Sequence, residues 1–312
     1  MACLEGLWTM APAPDRIIVV DNGSGDASGE GLLLRARERL GPAQAVRTGP
    51  KGREDSPTAY PAFSLLTLPE NRGYAAALNA ALGPSLAGGP EDFFLLLNSD
   101  ILMRAQALAA LLQCAATRPD TGVFGATILA GRGAHLECAG GCRYVQWATV
   151  TRPCLAGLSL TQATARPEPR LDYVHGACMF VRKAVFQAAG LFDERFFLFG
   201  EELDFCLRAK NLGFGLGWCR EAIASHAGGA SLRAGFPDER GRKLLANYHE
   251  NLGALMIAKK WSGALFPLAV SWRFFGKLAV LAARGETYLA ASLFSAFKDY
   301  FLKKSPYDPR SG

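Results

Sequence analysis

At 312 residues, half of them hydrophobic and 20% charged, the chain can build one large core or two smaller ones, and global disorder is excluded. The formal charge of +6 is lopsided: residues 233–312 carry 13 Lys or Arg against 6 Asp or Glu, whereas the first 232 carry 21 against 22. A basic tail on a neutral body points to an anionic surface, membrane or nucleic acid, beside the tail, and argues against a protein that is basic throughout.

The eight cysteines are scattered without a CxxC pair, and several sit inside apolar runs where a thiol packs as a small hydrophobe, so reduced cysteines in a cytosolic setting are expected. The opening MACLEGLWTMAPAPDR lacks the basic start and long apolar core of a secretory signal. No run reaches the roughly 18 uncharged apolar residues of a membrane span.

In chain order, RIIVV (16–20) lies between Pro14 and DNGSGD, which predicts a buried parallel strand entering a turn. Residues 41–63, rich in Gly, Pro and charge without a period, read as an exposed loop insertion. ENRGYAAALN (70–79) sets Asn71 and Gly73 before a small-residue helix from Tyr74 to Leu82, a place where backbone can be approached closely. EDFFLLLNSD gives a strand over Phe93 to Leu97 ending on Asn98, Ser99 and Asp100, and a helix follows over Ala105 to Ala116. Residues 131–172 mix Gly, Pro and isolated aromatics and carry no clear period.

YVHGACMFVRKAVFQAAG predicts a strand from Ala177 to Val181 and a helix stopping at Gly190. From Glu201, apolar residues at 203, 206, 207 and 212 form a helical stripe that Gly213 closes, and Asp204 and Arg208 are spaced to pair. Ala222 to Ala224 looks like a strand end, with His226 in the Gly-rich turn after it, and from about 242 the pattern is helical. Alternating strands and helices predict an α/β sheet with parallel strands.

Ligands of such sheets gather beyond the carboxyl ends of strands, where Asp21 and Asp100 both fall. Each aspartate can accept from a ribose hydroxyl or bind a divalent cation through oxygen; each can equally open an Asx turn or cap a helix. Glu201 and Glu202 occupy a first helical turn, where the dipole favours carboxylates, either to stabilise the helix or to accept a proton. The aromatic flanks Phe196, Phe197 and Phe199 would restrict water around them and favour the second role. A lone His226 is by itself best read as a hydrogen-bonded residue; proximity to Asp100 would raise its standing.

Taken together, VVDNGSGDAS (19–28), NRGYAAALN (71–79), LLNSD (96–100), HGACMFVRKAVFQAAGLFDERFFLFGEELDFCLR (175–208) and His226 resemble the inverting family-two glycosyltransferases of the GT-A fold, above all their bacterial rhamnosyltransferase-like branch. The resemblance implies an α/β fold with a Rossmann-like nucleotide-binding sheet of mixed strands over residues 1–232, and a basic, amphipathic helical region over 233–312. It implies sugar transfer from a nucleotide-diphosphate donor, with dTDP-rhamnose as a candidate, to a lipid-linked or polysaccharide acceptor. Asp21 would contact the nucleoside, Asn71 and Gly73 would line its pocket, Asn98 would face the donor, and Gly176 and Ala177 would border the sugar. Asp100, in the family's metal motif, would bind Mg²⁺ or Mn²⁺, and His226 matches a position that contacts the metal or diphosphate. Glu202 would take the acceptor proton, with Glu201 orienting the acceptor and Asp204 serving structure.

Three departures stand out. Only the last residue of the metal motif is a carboxylate. Glu202 stands where Asp is usual, lengthening the arm by about 1.5 Å. The family's first strand has no counterpart before the helix that ACLEGL resembles, so the sheet is expected to lack a central strand through truncation or a misplaced start, leaving neighbouring backbone groups in need of partners. A catalytically impaired scaffold is therefore an alternative; a sugar nucleotidyltransferase would need a Gly-rich, Arg- and Lys-bearing loop near the N-terminus, which the sequence does not contain.

In the tail, Arg273, Lys277 and Arg284 fall near one helical face and Trp272, Phe275, Ala279 and Ala282 near another. This suits either an interfacial helix on an anionic leaflet or helices packed on the catalytic domain. With the resemblance it implies a cytoplasmic protein, peripheral on the inner face of the membrane, with no nucleic-acid partner.

Overall fold

The computed structural model describes residues 1–49, 52–53, 62–89, 91–131, 133–227 and 238–302. Part of the expected 41–63 loop, the Gly-rich residues after Ala227 and the last ten residues of the tail lie outside that set.

The first part of the chain runs α1 (Ala2–Trp8), β1 (Ile17–Asn22), α2 (Ser28–Leu40), β2 (Ala45–Gly49), β3 (Gly52–Arg53), β4 (Phe63–Leu68) and α3 (Tyr74–Gly88). Strands β1, β4 and β2 are parallel neighbours in that order, and β3 pairs antiparallel with β2. Parallel strands are covered on both faces. Leu4 of α1 and Leu33 and Ala36 of α2 pack with Ile17, Phe63 and Leu65 on one face, while Ala77 of α3 packs with Leu66, Leu68 and Ile18 on the other.

Residues 45–49 thus form a strand where a loop insertion is expected. AVRTG has two buried apolar residues only, and its pairing with Phe63 to Leu66 defines it.

The chain continues with β5 (Phe93–Leu97), β6 (Ile101–Met103), α4 (Ala107–Thr117), β7 (Thr121–Ala130), β8 (Leu136–Ala139), β9 (Gly141–Val145), β10 (Val150–Pro153), α5 (Leu160–Thr164), β11 (Tyr173–Val174), β12 (Cys178–Arg182), α6 (Lys183–Ala189), α7 (Glu201–Asn211) and β13 (Gly215–His226). A second sheet has the order β5-β12-β7-β13-β6, with β8 on β7; β12 is antiparallel to both neighbours and β13 is parallel to β7. The expectation of parallel strands therefore holds for the first sheet, and the second is mixed. Strands β9, β10 and β11 form a small antiparallel sheet, its first two strands inside the stretch that had no readable period and the third just after it.

Among the described residues no strand pairs with the outer edge of β1 or of β5. Helices and an ion pair connect the two sheets. Leu7 of α1 contacts both cores, Ala75 and Ala77 of α3 pack into different ones, and Arg16 before β1 pairs with Glu91 before β5 at 3.3 Å.

Helices α8 (Glu239–Trp261), α9 (Phe266–Ala283) and α10 (Ala290–Phe301) complete the fold. They are bonded to the body. Trp261 Nε1 donates to Asp204 Oδ1 at 2.9 Å and Lys260 Nζ lies 2.7 Å from the same oxygen.

Of the two readings of the tail, the packed one describes Arg273 and Lys277 of α9. Arg273 is 8% exposed and donates to Asn251 Oδ1, Glu250 Oε1 and the Thr149 carbonyl, and Lys277 donates to the other Glu250 oxygen. Glu250 draws both cations inward, so Trp272 and Phe275 of the apolar side are left outside at 48% and 67% exposure. The stretch Gly263–Ala283, 21 residues, is also long and apolar enough to cross a membrane by length and composition. A search for an uncharged run misses it because Arg273 and Lys277 interrupt it.

Candidate active site

The first sheet ends in a cavity of about 340 Å³ lined by Asp21, Gly23, Ser24, Asp26, Arg47 and Thr67. Asp21 Oδ1 accepts from the Ser24 N–H at 3.0 Å, so one oxygen forms the turn and the residue still borders the cavity. Asp21 thus opens the turn as one of its two expected roles requires, and its position at the cavity leaves the other as a proposal.

Asn71 braces this region. Its Oδ1 accepts from Asn22 Nδ2 and from the Gly73 N–H, each at 3.0 Å. Gly73 has φ +85°, and a Cβ there would come within 2.6 Å of the Phe197 carbonyl oxygen, which accepts from the Tyr74 N–H at 2.8 Å. Only glycine lets this loop sit against the segment that delivers the acids.

That segment is strained. Phe199 holds φ +68°, costly for a bulky residue, and its carbonyl is packed against α8 so closely that a Cβ at Gly253 would lie 2.4 Å from it. Phe197 stacks on His249 of α8 at 4.9 Å. The aromatics expected to limit water divide accordingly: Phe196 is buried in the core and Phe199 is 36% exposed.

The three acids of α7 occupy different environments. Asp204 is fully buried and accepts from Arg208 Nε at 2.9 Å, the expected structural pair. Glu201 is 4% exposed, and burial, reinforced by repulsion from Glu202, pushes its carboxyl well above the usual range. Its burial leaves little surface for the acceptor-orienting role expected of it. Glu202 is half-buried, accepts from the Gly200 N–H at 3.2 Å, and its Cγ lies 3.5 Å from where a Gly176 side chain would begin.

Tyr74 stands between the acids and the metal motif. Its hydroxyl donates to the Gly176 carbonyl at 3.2 Å. Burial, then the charges of Glu201, Glu202 and Asp100, push its phenol far up, so it stays a donor.

On the other side of the Gly176–Ala177 step, the Ala177 carbonyl accepts from the Asn98 N–H at 3.0 Å, and Asn98 begins the turn to Asp100. His226, the last residue of β13, places Nε2 3.4 Å from Asp100 Oδ1 and Nδ1 3.0 Å from Glu137 Oε2. Glu137 also lies 3.3 Å from His175 Nε2. Burial pushes the Glu137 carboxyl up, but the bonds from His175 and His226 outweigh it and hold it at about 2. The Glu137 bond in turn raises His226, against the opposing effect of burial.

Among the described residues no group of three or more His, Cys, Asp or Glu is arranged to hold a metal ion. Asp100 and His226 fit a half-site. His226 Nε2 is a buried nitrogen without a hydrogen-bond partner, aimed at an aspartate. A hard divalent cation bound by one or two side chains takes its remaining oxygens from substrate phosphate.

The expected residues Glu202, Gly176, Ala177, Asn98, Asp100 and His226 thus converge, and Asn71 and Gly73 join them through Phe197. Tyr74, His175 and Glu137 were not singled out by sequence. The first two lie inside quoted motifs; Glu137 lies in a stretch without readable signal.

A family model described as glycosyltransferase like family 2 matches residues 60–242, more than half of the chain. The N-acetylglucosaminyl-diphospho-decaprenol L-rhamnosyltransferase of Mycobacterium tuberculosis is 26% identical over 235 residues, 68% of this chain and 66% of that protein. The low-salt glycan biosynthesis hexosyltransferase Agl10 of Haloferax volcanii is 38% identical over 56 residues, 18% of each chain. The chain thus spans less than two thirds of either relative. In fold it is similar to a mannosyltransferase from Pyrobaculum calidifontis solved with GDP-Man and Mn²⁺, with a TM-score of 0.51 at 15% identity, covering 97% of this chain and 83% of that one.

Proposed function

Because the chain belongs to the glycosyltransferase-like family 2, we propose that it transfers a sugar from a nucleoside-diphosphate donor to an acceptor hydroxyl with inversion at the anomeric carbon. The observation that carries this reading is the Gly176–Ala177 step, which contacts Glu202 on one side and the Asn98–Asp100 turn on the other. Inverting displacement needs a base and a departing diphosphate on opposite sides of one carbon, and this step lies between the residues proposed for the two roles.

Glu202 takes the proton of the acceptor hydroxyl. Glu201, buried next to it in the chain with its carboxyl pushed up by burial and by Glu202, supports it. Asp21 and its cavity receive the nucleoside, with Arg47 on the cavity wall. Asp100 and His226 would hold Mg²⁺ or Mn²⁺, which supplies charge compensation for the leaving diphosphate. Tyr74 keeps the Gly176 carbonyl in place beside the sugar.

The mycobacterial relative is named for a rhamnosyl transfer to a decaprenol-linked acceptor, which favours rhamnose and a lipid-linked acceptor here. The outward side of α9 and α10 suits that acceptor: Trp272, Phe275 and Phe294 are all exposed. Spanning would draw Arg273 and Lys277 away from Glu250 into hydrocarbon, so α9 lies along the membrane surface on the cytoplasmic side. The contact with lipid is apolar and aromatic.

Among the described residues no strand covers the outer edges of β1 and β5, and the second reading is a scaffold that binds nucleotide without turnover. A panel of nucleotide sugars, offered with Mn²⁺ or Mg²⁺ and a polyprenyl-diphosphate sugar, separates the two. Release of nucleoside diphosphate with an inverted product, read by NMR, supports the enzyme; nucleotide binding without release from any donor supports the scaffold.

A further inference from the structure

We propose that Glu137 is a positioning residue, which orients His226 and fixes its tautomer so that Nε2 presents a lone pair beside Asp100 to the divalent cation of the donor diphosphate. This rests on the reading of Asp100 and His226 given above.

The placement begins in the backbone. Strand β8 pairs with β7 through Ile128 with Cys138 and then Leu129 with Leu136, so Glu137 is the extra residue of a bulge. A bulge re-aims a side chain out of strict alternation. Here it sends a carboxylate toward the end of β13, the strand on the other side of β7.

Both oxygens of Glu137 then lie within 3.1 Å of His226 Nδ1, and Oε1 also meets His175 Nε2 at 3.3 Å. An ionised carboxylate can only accept, so both ring nitrogens carry hydrogen. For His175 the assignment closes from both ends, because its Nδ1 accepts from the Ala177 N–H at 3.2 Å. His175 therefore holds Glu137 against rotation.

For His226, Nδ1–H is committed to Glu137. Nε2 is left as the ligating nitrogen, buried, 3.4 Å from Asp100 Oδ1 and without a hydrogen-bond partner. A carboxylate behind a histidine that faces a cation both fixes the ring and raises its basicity as a ligand.

The test is Mn²⁺ binding to the full chain, measured by electron paramagnetic resonance with Mn²⁺ alone and with inorganic pyrophosphate in place of the donor diphosphate. Glu137→Gln keeps size and folding while weakening the acceptor, and is expected to lower Mn²⁺ affinity about 10- to 100-fold. The nitrogen coupling of His226 in the bound Mn²⁺ spectrum should weaken or vanish, while the thermal midpoint without metal stays near that of the parent.

Unchanged affinity and unchanged nitrogen coupling in folded Glu137→Gln would overturn the proposal. Asp100→Ala, measured in parallel, separates the failures. If it abolishes Mn²⁺ binding while Glu137→Gln does nothing, only the role of Glu137 falls; if neither matters, the metal site falls with it.

Discussion

Lys260 Nζ lies 2.7 Å from an oxygen of the fully buried Asp204, so α8 is ion-paired to the helix that carries the acids. Trp261 and Arg208 donate to the same carboxylate, which makes Asp204 the joint between body and tail. Asp204→Ala strands three donors and is expected to cost about 3 kcal/mol or more of stability. Urea unfolding checks it; a loss below about 1 kcal/mol would show that the joint is slack.

On the proposed reading, Glu202→Gln removes the proton acceptor and leaves the cavity beside Asp21 alone. Turnover should fall about 10²- to 10⁴-fold with nucleotide affinity nearly intact. Titration of the donor nucleotide alongside initial rates reads both quantities, and undiminished turnover would take Glu202 out of the base role.

Glu201 gives a pH dependence of definite sign. Its carboxyl is held above the ordinary 4.5 by burial and by Glu202. Below that value folded and unfolded chains both keep the proton; above it the unfolded chain releases it first, so stability falls as pH rises, by up to about 1.4 kcal/mol per pH unit. Glu201→Gln abolishes this slope. Its thermal midpoint should match the parent near pH 4 and exceed it increasingly toward pH 8, whereas a constant offset across that range would refute the buried acid.

On the exposed apolar side of α9, the double variant Trp272→Glu, Phe275→Glu should lose the proposed sedimentation with vesicles while keeping its circular dichroism. Parent binding should persist on zwitterionic vesicles and in high salt, because the contact is apolar. Binding that requires anionic lipid and disappears with salt would instead restore an electrostatic surface elsewhere in the tail.

Much of this architecture can be read locally. RIIVV and FFLLL are continuous apolar runs with turn residues after them, and such runs form strands whichever neighbours they acquire. The α7 stripe and its pair Asp204 with Arg208 are likewise local. Strand β2 is different, since AVRTG becomes a strand only by pairing with β4. Periodicity around Arg273 separates two faces of a helix without saying which is inside; Glu250, 23 residues earlier, decides that. Glu137 escapes notice for the same kind of reason, being 89 residues from His226 and brought to it by a bulge.

The close approach of Gly253 to Phe199 bears on how this protein can be recombined. The left-handed turn before the acids is wedged in place by a helix that comes some fifty positions later, a helix that composition alone would assign to a separate module. Chimaeras that graft a relative's acceptor specificity must therefore carry α8 together with the catalytic half, or the graft will inherit the carboxylates without the wall that aims them.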